Sequence, residues 1–248
     1  MPLAAIEPRR LYRQIADQLR QLMDDGEYPV GGRLPTEREL AEKLGVSRPT
    51  VREALIALEV EGRLRIRVGS GIYVIDPQPA ASASNLAGIE GPFEVLRARA
   101  FIESAVAEEA ARRARPEDVE RLDSVLAETA AQLQGPYLAL DRRFHTGIAA
   151  TLDNAVLVRF VGELFDLRMN PYFELLAKHT EDASTWKAAH EEHCAIRDAV
   201  AAGDAAGARA AMHEHLKRSH QRFARDFGET ASEGREGGSR QLPSRLTA

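Results

Sequence analysis

The hydrophobic pattern changes its period at Gly62. Up to that point apolar residues recur at helical spacing. After it, the stretch "RLRIRVGSGIYVI" alternates polar with β-branched or aliphatic residues around Gly69, Ser70 and Gly71. Alternation about so small and flexible a centre predicts a β-hairpin with a tight turn. Upstream, Leu11, Ile15, Leu19, Leu22 and Met23 share one helical stripe, which Gly26, Pro29, Gly31 and Gly32 bring to an end. Thr36, with Glu39 three residues on, forms a capping box for a short second helix that stops at Gly45. Ser47 caps a third helix almost at once. The order is therefore helix, helix, helix, hairpin.

The third helix begins "SRPTVREAL". Val51, Ala54, Leu55 and Leu58 lie on one side and should face the first two helices. Arg48 and Arg52 flank that stripe one turn apart and are expected to project outward. Pro49 costs little in a first turn, whose N–H groups have no intrahelical partner. Ser47, Thr50 and those open N–H groups suit a phosphate. Arginine can pair in a bidentate way with guanine in the DNA major groove. A preceding helix and a short turn complete a helix-turn-helix, and the hairpin adds a wing. Arg63, Arg65 and Arg67 give the wing a cationic strip; Gly69 and Gly71 let it approach a sugar-phosphate backbone.

Beyond the hairpin, residues 76–91 are rich in Pro, Ala, Ser and Gly without periodicity and read as a linker. Residues 92–228 contain nothing strand-like. Breaks in the pattern predict helices near 92–114, 116–134, 136–151, 154–178, 183–202 and 204–227. Residues 229–248 are polar, Gly/Ser-rich and expected to be disordered. The fold class is mainly α: an N-terminal winged helix-turn-helix of residues 1–75, then an all-α antiparallel bundle of residues 92–228. With 6% aromatic residues, aliphatic side chains and alanine must fill the core. A net charge of −5 carries no global nucleic-acid signature, so any such site is a local patch. The single cysteine, Cys194, rules out an intramolecular disulfide. No signal-peptide pattern opens the sequence and no apolar run is long enough for a membrane span, so a cytoplasmic location is expected.

All seven histidines fall in the second half. Asp141 and His145 are four apart on one helical face, among Leu138, Ile148 and Leu152, so the pair should point inward. A carboxylate and an imidazole buried together need an ion pair, a hydrogen bond or a metal. Later helices offer His193, continued by Ile196 and Val200, and His215, backed by Ala208, Ala211 and Met212. Three histidines and an aspartate from three helices can bind a divalent ion inside a bundle. Helical direction alone leaves His190 and His213 as alternatives. Imidazole favours Zn²⁺, with Ni²⁺, Mn²⁺ or Fe²⁺ also compatible. Asn154 follows a helix break and either caps the next helix or lines a cavity.

The segment "GGRLPTERELAEKLGVSRPTVREALIALEVEGRLRIRVGSGIYV" resembles the winged helix-turn-helix of GntR-family bacterial transcription regulators. In the FadR-type branch, the resemblance implies DNA contacts for Arg38, Arg48, Arg52 and Gly69, with phosphate contacts for Arg33, Ser47 and Thr50. Val68 departs from relatives that place a polar residue at the wing tip. Residues 92–227 resemble the helical effector domain called FCD, through "LRARAFIESAVAEEAA", "DRRFHTGIAATLDNAVL" and "EEHCAIRDAVAAGDAAGARAAMHEHL". That likeness implies Asp141, His145, His193 and His215 as metal ligands and a small carboxylic acid bound beside the metal. It also makes Arg99 a residue that holds the carboxylate, although Arg99 with Glu103 reads equally as an i,i+4 ion pair.

The expected function is a metabolite-responsive repressor, not an enzyme. It would bind double-stranded, pseudo-palindromic operator DNA as a homodimer and be released by the acid. Two other readings stand beside it: a ligand-independent DNA-binding dimer with a structural metal, and a metalloenzyme. The last would leave the winged helix without a purpose, and no nearby glutamate is fixed as its general base.

Overall fold

A computed structural model describes residues 10–67, 69–76, 90–131, 137–180 and 182–224. Most of the expected linker, the wing-tip Val68 and the expected disordered tail lie outside the described residues.

The N-terminal unit comprises α1 (Leu11–Asp24), α2 (Glu37–Leu44), α3 (Arg48–Val60), β1 (Leu64–Arg67) and β2 (Gly71–Val74). The strands pair antiparallel, Leu64 opposite Val74 and Arg67 opposite Gly71. Arg33 adds an isolated bridge to Tyr73. The capping box is present: Thr36 accepts from the Glu39 N–H, and the Glu39 carboxylate accepts from the Thr36 N–H at 2.7 Å. The α3 stripe of Val51, Ala54, Leu55 and Leu58 is fully buried beneath α1 and α2. Two polar ties fix its C-terminal half. Glu61 takes Arg20 of α1 at 2.9 Å, and Glu59 accepts from the Ile66 N–H of β1 at 2.8 Å.

The second unit is all helical: α4 (Pro92–Arg113), α5 (Pro116–Ala131), α6 (Tyr137–Ala150), α7 (Ala155–Asp166), α8 (Pro171–Thr180), α9 (Ala183–Ala201) and α10 (Ala205–Ala224). Helices α4 and α10 run antiparallel. Arg209 near the start of α10 pairs with Glu108 late in α4, while His220 near its end packs on Phe93 at the start of α4. Together with α9 and α6 they enclose the second core.

One boundary differs from expectation. The helix read over 154–178 is two helices, broken between Leu167 and Asn170. Asn170 caps α8, its Oδ1 accepting from the Phe173 N–H at 3.1 Å, and Pro171 starts the helix. A residue before proline is driven out of the helical region, so the Asn-Pro pair is the physical cause.

Candidate functional site

The turn between α2 and α3 is built from glycine and serine. Gly45 takes the left-handed C-cap position at φ 65°, which a Cβ would strain. Ser47 then caps α3, its hydroxyl 2.7 Å from that of Thr50. Arg33, Arg38, Ser47, Arg48 and Gly69 are exposed and Thr50 is half-buried. In the wing, Gly69 sits at φ 72°, and Gly71 leaves space for Arg33: a Cβ there would lie 2.5 Å from its Nε. Arg65 and Arg67 are exposed, Arg67 over the Tyr73 ring at 5.4 Å.

Two arginines depart from the expected cationic face. Arg63 is half-buried and ion-paired with Asp24 of α1. Arg52 does not project outward; it is 1% exposed. Its Nε donates to Glu37 at 2.7 Å and its Nη1 to the Phe223 carbonyl of α10 at 3.1 Å. The same Glu37, wholly buried, takes Arg48 Nε at 2.9 Å. Burial pushes the Glu37 carboxyl up, against the pull of Arg52 and Arg48. Nothing local in the sequence marks Glu37 as the partner of two arginines.

In the second unit, α6, α9 and α10 bring Asp141, His145, His193 and His215 together, all buried, with one donor atom of each within 4.8 Å of the others. Asp141 Oδ1 is 3.2 Å from His145 Nε2 and 3.3 Å from His193 Nε2; His193 Nε2 is 3.2 Å from His215 Nε2. Ligands ~2.1 Å from one ion in a tetrahedron stand about 3.4 Å apart. The spacing fits a divalent ion. Asp141 Oδ1 and His145 Nε2 also approach without hydrogen-bond geometry, so both remain buried acceptor or donor atoms that an ion would satisfy.

The charges favour that use at His193, His215 and Asp141, whereas at His145 burial is outweighed by Glu103 and Asp141, which raise it. Burial keeps His193 well below the usual histidine range, aided by His215, and burial likewise lowers His215. Neutral imidazoles are the metal-binding form. Burial opposes ionisation of Asp141, but His145, Arg168 and His193 outweigh it and hold the carboxyl well below its ordinary value. Two carboxylates stand behind the histidines. Glu103 lies 2.5 Å from His145 Nδ1 and 2.6 Å from Arg99; burial opposes its charge, yet Arg99 and His145 bring it to about 2. Glu192 lies 2.8 Å from His215 Nδ1 and is held by Arg222 at 2.8 Å. A carboxylate on Nδ1 leaves Nε2 to face a metal. Sequence reading missed both roles. Glu103 had a nearer claimant in Arg99, and Glu192 was one of several glutamates with no visible aim.

A cavity opens beside the cluster, bounded by Asp141 and His215 on one side and by Arg168, Trp186, Arg222 and Phe223 on the others, with only ≈ 20 Å³ free. Arg168 donates to Asp141 Oδ2 at 2.7 Å and lies over Phe165 at 5.1 Å. Arg99 is outside this lining, paired with Glu103 and 4.5 Å above the Phe165 ring. Asn154 is exposed rather than cavity-lining, because its Oδ1 is used to cap α7 at the Val156 and Leu157 N–H groups. His190 lies by Cys194 Sγ at 3.6 Å, and His213 faces an open groove between α4 and α10.

A winged helix-turn-helix joined to a helical bundle with a buried histidine–aspartate cluster defines a DNA-binding regulator of transcription, not an enzyme. Residues 11–74 match the family model of bacterial regulatory proteins of the gntR family, and residues 94–218 that of the FCD domain. The chain belongs to the gntR family and carries an FCD domain. It is 38% identical over 216 residues to the Exu regulon transcriptional regulator of Escherichia coli (strain K12), covering 85% of this chain and 83% of that one. It is 36% identical over 229 residues to the Uxu operon transcriptional regulator of the same strain, covering 89% of each. A solved structure of Streptococcus agalactiae GntR is similar at 25% identity and a TM-score of 0.45, over 85% of this chain and 99% of that one. Among the described residues, no helix is long and apolar enough to cross a membrane.

Proposed function

We propose that this regulator is a homodimeric repressor released from a pseudo-palindromic operator by a small carboxylic acid. Residues 1–75 bind the DNA and residues 92–228 bind the effector and the second copy. Arg48 and Arg38 approach base edges from α3 and α2, and Arg52 joins them once it leaves Glu37 and Phe223. Arg33, Ser47, Thr50 and the glycine wing tip meet phosphates. Asp141, His145, His193 and His215 hold a divalent ion, Zn²⁺ first. The observation that carries this reading is the convergence of those four buried donor atoms next to a cavity walled by arginines. The relatives named for a regulon and an operon support control of a defined gene set.

When bound, the metal supplies a Lewis-acidic anchor for a carboxylate. The chain's own contribution is orientation and charge. Glu103 and Glu192 direct the histidines, and Arg168 and Arg222 offer guanidinium groups to an acid in the cavity. With so little free volume, an acid must move the Trp186 or Phe223 wall as it binds. To act, it must favour the DNA-free arrangement over the DNA-bound one.

The test is fluorescence anisotropy with DNA from upstream of the chain's own gene. Metal-loaded protein should bind it ~10³-fold tighter than a scrambled duplex, and one of a series of small carboxylic acids should release it. Metal-dependent binding that no acid reverses would favour the ligand-independent dimer. Equal, weak binding to both duplexes would defeat the operator assignment.

A further inference from the structure

Two adjacent residues of the recognition helix turn away from the DNA side and hold the effector unit. Arg52 donates to the Phe223 carbonyl of α10. Glu53, 7% exposed, accepts from the Phe93 N–H in the first turn of α4 at 3.1 Å. That helix has no side-chain cap of its own, because its N-cap is Gly91. Glycine is also what makes room: a Cβ at Gly91 would lie 2.6 Å from Glu53 Oε1. An acceptor suits the open N–H groups at the start of α4. Because α4 and α10 are antiparallel, Phe223 lies near the start of α4, and α3 grips both helices.

We propose that Glu53 is a positioning residue that clasps the recognition helix to α4 and α10 and thereby keeps Arg52 off DNA. The clasp rests on the reading of Arg52 as a DNA contact. One guanidinium cannot be 1% exposed against Phe223 and also reach a duplex. DNA binding therefore requires the clasp to open. The α10 segment around Phe223 ties this to the effector site. Arg222, one residue before Phe223, holds Glu192, which holds His215. Phe223 itself packs on Phe173, over which Arg168 lies.

The experiment uses the full chain in its metal-loaded form. Phenylglyoxal modifies accessible arginines, and peptide mass spectrometry reads each site. In DNA-free wild type, Arg52 should react as slowly as buried Arg99, while exposed Arg38 and Arg65 react fast. Glu53→Ala should expose Arg52 and tighten operator binding by at least ~5-fold. Glu53→Gln retains an acceptor for the Phe93 N–H and should behave as wild type. Gly91→Ala is a second route, displacing the Glu53 carboxylate while keeping the residue, and should act like Glu53→Ala. Fast modification of Arg52 in wild type would overturn the clasp. So would folded Glu53→Ala and Gly91→Ala proteins whose footprint and affinity match wild type. Arg52→Ala separates the two readings: unchanged operator binding there defeats Arg52 as a DNA contact, while the footprint still judges the clasp.

Discussion

Glu37 has two arginines on its carboxylate and no exposure to solvent. Removing it would strand the buried Arg52 charge. Glu37→Ala should lower stability by about 3–5 kcal/mol, as breaking one side of a buried pair does. Urea unfolding would check it, and a loss under ~1 kcal/mol would mean that Arg52 escapes to solvent. Arg48, 43% exposed at its side chain, is a different case. Arg48→Ala should keep the fold and lose specific operator binding, and wild-type affinity would sink its base-reading role. Glu53 supplies a pH signature. Burial raises its carboxyl from 4.5 to about 7, with only partial relief from Arg97 and the N–H groups of Phe93 and Glu94, while the Glu94 charge adds to the rise. The folded chain therefore binds this proton more tightly than the unfolded one. The stabilisation is fully present below pH 4.5 and is lost as pH rises through about 7. Glu53→Gln should flatten that decline, which amounts to a few kcal/mol. A wild-type slope that survives the substitution would assign it to other groups.

At the scale of elements, the metal cluster takes its ligands from α6, α9 and α10, and its outer carboxylates from α4 and α9. Glu103→Gln and Glu192→Gln should each weaken metal binding by ~10–100-fold. Competition with a chelator reads the affinity, and the metal-free melting temperature separates positioning from bulk stability. Unchanged affinity in both would reduce these glutamates to packing. What was legible in sequence follows the range of the interactions. The Thr36–Glu39 capping box, the Gly45 turn and the α3 stripe are local and appear as read. The inward direction of Asp141 and His145 was also readable, because periodicity reports which face is apolar. The Asn170–Pro171 break was written in the chain but hidden by the apolar run across it. The outward direction expected of Arg52 was misjudged for a different reason. Its partner Phe223 is 171 residues away, and no pattern in α3 reveals that an α10 carbonyl will land on it. Asn154 shows the reverse, a local cap overriding a longer-range role.

At the scale of the whole molecule, a long groove among the described residues stays unexplained by the folded monomer. Between α4 and α10 lies an open groove of ≈ 910 Å³, with Ala100, Ser104, Ala206 and Ala210 as its floor. Phe101 stands beside it 75% exposed, an unfavourable position for an aromatic ring in a lone monomer. Its rim carries both signs, Arg97 and Arg209 with Glu214. A two-fold axis through the groove would seat the Phe101 of each copy in the small-residue hollow of the other, an isologous contact that closes on itself. The same axis would set two α3 helices for two operator half-sites. Phe101→Asp should shift the protein to monomer in sedimentation velocity and weaken operator binding, while the metal site, buried on the other side of α10, keeps its affinity. A Phe101→Asp protein that remains dimeric would move the dimer contact elsewhere. One that becomes monomeric yet binds the operator with wild-type affinity would break the link between two-fold symmetry and DNA recognition.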